Sequence, residues 1–217
     1  MDKMRPGTET MTGEMPFLLG EKIGEGKHAE VFRSQQDPHK LVKKLKIREE
    51  YSIWGDFEIQ EVNSAYDEEQ FREHYQAALN LLQKHLDSFL PKTQLVFGHT
   101  DGNKTAGYLI TEEVMPETAE NPEEKMEKMD EMLEAVVKMF IDQPKGPKFV
   151  PDIFGEEEFR YGHTANNPTP KFYILDIYPT FKMTSSEVCA GINQIIQKEG
   201  VQFFPKTLEL MKRLEYI

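Results

Sequence analysis

The sequence has 217 residues with 26 basic and 38 acidic side chains, a formal net charge of −12. That length suits one domain, or two small lobes sharing a core, and a hydrophobic content of 38% is enough to bury a core, which excludes wholesale disorder. The acidity opposes general binding to nucleic acid or to anionic lipid, because a polyanion would be repelled.

A polar tail, residues 1–15, opens the chain without the apolar run of a signal peptide. Short β-like runs then alternate with turn signals from Pro16 to Lys46. Phe17-Leu18-Leu19 leads through Ile23 to Gly24-Glu25-Gly26, Val31-Phe32 follows, and Leu41-Val42 comes after Asp37-Pro38-His39. These predict three strands joined by tight turns. Residues 48–66 show no clear period and read as an irregular insertion. Asp67 with Gln70 has capping-box spacing, and Phe71, Tyr75, Ala78, Leu79, Leu82 and Leu86 predict one apolar helical stripe, which Pro91 ends. Two further strands, at 94–97 and 108–110, flank the hairpin signal Asp101-Gly102-Asn103.

Proline and glutamate then mark a linker. Asn121 is placed to cap a helix with Pro122 at its first position, and Met126, Met129, Leu133, Val136, Val137 and Phe140 give that helix a buried face. Its methionines read as core packing and its acidic residues as the solvated side. Residues 146–151 break the pattern. A hairpin is predicted from 159–161 and 172–177 around a polar turn at 162–170. Thr184 and Glu187 form a second capping box before Val188, Ile192, Ile195 and Ile196, Gly200 stops that helix, and Pro205 starts a short last one. The lone Cys189 rules out an intrachain disulfide and suits a reducing, cytoplasmic compartment; it reads as a small buried hydrophobe. No run approaches the ~18 apolar residues of a membrane span.

The chemistry concentrates in a few places. Gly24 and Gly26 lie between two strands, where glycine lets backbone amides approach phosphate oxygens. Most such hairpins hold no ligand, and a Rossmann turn is excluded because a strand, not a helix, follows. Lys43 on the third strand offers an ammonium group, and Glu73 on the next helix offers a carboxylate to hold it.

In this order the residues resemble the protein-kinase-like superfamily. Gly24, Gly26 and Val31 match its glycine-rich loop, Val42-Lys43 its third-strand lysine, and Phe71-Arg72-Glu73 its helix glutamate. Tyr108 to Val114 is similar to the strand entering the hinge. That implies Thr111 as gatekeeper, with the Glu112 carbonyl and Val114 amide on adenine. Pro151-Asp152 resembles the catalytic-loop aspartate and Tyr173 to Asp176 the strand that ends in the Mg²⁺-binding aspartate. Glu157 stands where the family has its second metal ligand, an asparagine. The departures are Val150-Pro151 in place of His-Arg, Ile177-Tyr178 in place of Phe-Gly, and only 41 residues after Asp176.

The resemblance implies an α+β, bilobal fold. It has an N-lobe over 16–115, with a five-stranded sheet and one helix, and a reduced, mainly helical C-lobe over 116–217. The implied activity is transfer of phosphate from ATP, with Mg²⁺, to a hydroxyl of a small molecule or protein. Asp152, Lys43 and Glu73 would be catalytic, and Asp176 and Glu157 would bind metal. The acidic stretch 112–134 would suit a cationic acceptor. Two other readings stand beside it: a catalytically inactive pseudokinase or regulatory module, and an acidic α+β interaction protein that binds no nucleotide.

Overall fold

The computed structural model describes residues 18–26, 29–45, 68–99, 105–143, 148–151, 153–154, 158–176 and 180–214. The insertion at 48–66, the Asp101-Gly102-Asn103 turn and the tail at 1–15 lie outside them. The fold is α+β.

Five antiparallel strands form the first sheet: β1 (Leu19–Glu25), β2 (Ala29–Ser34), β3 (Lys40–Leu45), β4 (Thr93–His99) and β5 (Thr105–Glu112), in the order β1-β2-β3-β5-β4. The β2–β3 turn is closed by short polar side chains. Ser34 accepts from the amides of Gln36 and Asp37, and Asp37 accepts from the amide of His39. Alternation along the strands separates two faces. Val42, Ala106 and Tyr108 form a small outer cluster with Phe32, Val96 and Ile110. Leu45 and Leu109, with Leu95 and Phe97 beside them, face the main core.

Helix α1 (Glu68–Leu86) packs on that inner face through Leu79, Leu82 and Leu86, all buried. The helix stops before the expected Pro91. A 3-10 turn at Asp87–Phe89 follows, and Leu90 is extended, since a residue preceding proline avoids the helical region.

The second half runs β6 (Met115–Pro116), α2 (Pro122–Asp142), β7 (Lys148–Pro151), β8 (Phe159–Thr164), β9 (Asn167–Ile174), β10 (Thr180–Met183), α3 (Ser185–Glu199) and α4 (Pro205–Leu214). Asn121 caps α2 through Glu123 N at 3.0 Å, and the Thr184–Glu187 capping box closes α3. Gly200 ends α3 at φ 110°, a backbone angle that a Cβ disfavours. Two expectations are corrected. Residues 146–151 contain β7, paired with β10 through Val150 and Phe181; strands of four residues carry too little alternation to be read. The polar stretch 162–170 is mostly strand, with Thr164 facing Asn167 across a tight turn. At Gly162 a Cβ would lie 2.0 Å from the Met115 carbonyl oxygen, so glycine is what lets β6 lie against β8.

Helix α2 buries its methionine face as expected, and Met132 and Met139 as well. Its acidic residues are not all on the solvated side. Asp130 is 2% exposed and caps α4 from across the core, accepting from Lys206 N at 3.1 Å and Thr207 N at 2.9 Å. The Thr207 hydroxyl lies 2.6 Å from the same carboxylate. These donors belong to a helix first turn, where no intrahelical acceptor exists.

Replacing Asp130 by Ala removes that cap and strands buried donors, so urea unfolding should show a loss of about 2–4 kcal/mol; a loss under ~0.5 kcal/mol would contradict the assignment. Burial raises the phenol of Tyr173, 2% exposed, above its ordinary 10.0. Because the folded value lies above the unfolded one, this contribution is complete below pH 10 and is lost as pH climbs through the folded value. Phenolate absorbance should therefore appear together with unfolding at alkaline pH, and Tyr173→Phe should flatten the fall in stability.

Candidate functional site

Strand register places Gly24 opposite Val31, Val31 opposite Lys43, and Lys43 opposite Leu109. Cross-strand neighbours share a face, so these residues form one row on the inner side of the sheet. Thr111, two residues beyond Leu109, belongs to the same face. Its hydroxyl is 2.9 Å from that of Thr93 on β4.

The row meets the second half of the chain at Lys43. Its ammonium donates to the Leu175 carbonyl at 2.8 Å and to Asp176 Oδ1 at 3.0 Å, directly after β9. The segment carrying these acceptors is held by the Leu175 amide, which donates to the Glu158 carbonyl at 2.7 Å. The Lys43 side chain is 16% exposed and that of Asp176 35%. Solvent screens the carboxylate more than the ammonium, and the pair acts mainly by fixing position.

Gly26 N donates to Ala29 O at 2.8 Å. A Cβ on Gly24 would meet the Val31 side chain only at ordinary contact, 3.8 Å, so packing does not demand glycine there. Lys22 clips the turn from outside with Glu25 and Glu30, both at 2.6 Å. These bonds, Glu25 first, raise the Lys22 ammonium above its usual range, and the Lys22 bond lowers Glu30.

The segment after β5 is anchored at several points. Glu112 N donates to Lys92 O at 3.1 Å and Glu113 N to His39 O at 2.8 Å. The Glu113 carboxylate pairs with Arg33 at 3.0 Å, and Val114 is buried. Glu112 turns its side chain inward to accept from Asn166, so it contributes nothing to an exposed acidic surface.

Lys43, Asp176 and the Gly24–Val31 row come together, with Thr111, Glu112 and Val114 following on β5 and the linker. Glu73 lies on α1, but its side chain is outside the description, as are Asp152 and Glu157 entirely. Among the described residues no group of three or more His, Cys, Asp or Glu is placed to hold a metal ion. Asp176 supplies one hard oxygen donor, which suits Mg²⁺ shared with phosphate oxygens. The Leu175 carbonyl and Lys22 were not legible as site groups. A backbone acceptor carries no residue signature, and Lys22 gains its role only when β1 pairs with β2. None of the described helices is long and apolar enough to cross a membrane. In comparisons with known proteins, no family model and no curated protein matches the chain.

If the Lys43 contact serves position rather than stability, Lys43→Met should unfold cooperatively in urea within about 1 kcal/mol of the parent. A loss of several kcal/mol would make Lys43 a structural residue instead.

Proposed function

We propose that the chain is a phosphotransferase of protein-kinase-like type, using ATP and Mg²⁺ to phosphorylate a hydroxyl of a small molecule or protein. The observation that carries the reading is the Lys43 ammonium on Asp176 Oδ1 at 3.0 Å, across 133 residues of sequence. A lysine in the glycine row meeting a carboxylate at the end of a second-half strand is the pairing expected of a phosphate site beside a metal site.

ATP would supply the transferable group, and Mg²⁺, when bound, would neutralise charge on its oxygens. Around them Gly24 and Gly26 offer backbone without side-chain obstruction, and the linker carries the Glu112 carbonyl and Val114 amide toward adenine. Lys43 would bring the positive charge for the phosphates, with Glu73 as its expected carboxylate partner, and Asp176 and Glu157 would be the residues to hold Mg²⁺. Asp152 accepts the proton of the acceptor hydroxyl as the new O–P bond forms and the bond to the ADP oxygen breaks.

A specific observation also supports a regulatory nucleotide-binding module without catalysis. Val150 and Pro151, in the place of His-Arg, are buried β7 residues paired with Phe181 and Thr180, so core packing has taken a catalytic position. Transfer of radiolabelled γ-phosphate should be detectable for the parent and fall at least a hundredfold in Lys43→Met with the fold intact. Stabilisation by ATP and Mg²⁺ without transfer selects the regulatory module, and neither effect selects an acidic interaction protein.

A further inference from the structure

Behind the linker lies a cavity of about 490 Å³, between the α1–β4 connection, the end of β5 and the β8–β9 hairpin. Neither Lys43 nor Asp176 lines it. Its volume is in the range of small-molecule sites, roughly 300–1,000 Å³.

Two opposite charges stand in its walls without touching. Glu112 is 6% exposed, and its carboxylate is met by the neutral amide of Asn166; among the described residues no ammonium or guanidinium pairs with it. Lys171 donates to the Ser88 carbonyl and sits 4.8 Å from the centre of the Tyr173 ring. Burial lowers the Lys171 ammonium below the usual lysine range, while the charges of Asp87 and Glu112 work against that. The Tyr173 hydroxyl is enclosed and has no hydrogen-bond partner. Thr164 is near enough to ease its ionisation without meeting it in bonding geometry. Buried charges are normally paired, and buried hydroxyls normally bonded, because desolvation is otherwise uncompensated. Here a buried acid and a buried hydroxyl, with a half-buried base beside them on one cavity, have neutral partners or none.

We propose that this cavity binds a small zwitterion, with its ammonium on Glu112 and its carboxylate on Lys171. Each end would replace a contact with a neutral group by an ion pair. Neither Lys43 nor Asp176 takes part, and Glu112, whose backbone carbonyl the phosphotransferase reading assigns to adenine, contributes here only its side-chain carboxylate, so the site stands without that reading.

The test uses the full chain at neutral pH with glycine, β-alanine, γ-aminobutyrate and ε-aminocaproate, alongside butylamine and butyrate, followed by melting temperature and calorimetry. One chain length should raise the melting temperature, and the two singly charged analogues should not. Glu112→Gln and Lys171→Gln should each weaken that binding on the order of tenfold or more. No shift with any amino acid, equal shifts with the singly charged analogues, or undiminished affinity in both variants would overturn the proposal. The comparison among ligands requires no substitution, so it stands even if a variant fails to fold.

Discussion

The period of two along a strand governs most of what this molecule can do. Because β3 turns Val42 outward to Phe32 and Tyr108, it must turn Lys43 inward, toward the core side carrying Leu45 and Leu109. A charged side chain on a buried face needs an acceptor. The Leu175 carbonyl and Asp176 supply it from the far half of the chain. The same parity aligns Gly24, Val31 and Thr111 with Lys43. A slip of one residue would turn the lysine into the apolar cluster of Val42, Phe32 and Tyr108 and dissolve the row.

The second half is organised by α2, whose buried face runs from Met126 to Phe140. Apolar burial binds it to neighbouring elements without fixing their angles, since hydrophobic contact has little direction. Asp130 adds direction. One carboxylate receives the first-turn amides of α4, so the last helix has a defined start and a defined place. The main cluster continues from Leu79 and Leu109 through α2 to Ile192 and Leu214; the two halves therefore share one core.

The linker joins these constraints. Thr111 faces the Lys43 side while Glu112, the next residue, must face the other way, and its carboxylate ends in the cavity with Asn166. Two neighbouring residues thus serve two different spaces.

Local signals were legible where they were self-contained. The Asn121 cap, the Thr184–Glu187 box, the Gly200 stop and the Met126–Phe140 face all stand as the residues alone indicate, because each depends on atoms within a few residues. β7, β10 and the tight β8–β9 turn were not legible, since a four-residue strand is defined by its partner. Asp130 looked like surface for a similar reason: helical spacing gives its face, while the amides that make burial tolerable lie 76 residues away.

By itself, then, the sequence determined which segments become helices and longer strands, which faces they bury, and that glycines, a lysine and an aspartate recur in a suggestive order. Tertiary structure alone decided that Lys43 reaches Asp176, that Leu175 lends its carbonyl, and that Glu112 and Lys171 share a cavity without pairing. Propensity, capping and periodicity act over a turn or a strand, whereas the meeting of charges is set by how separate elements pack.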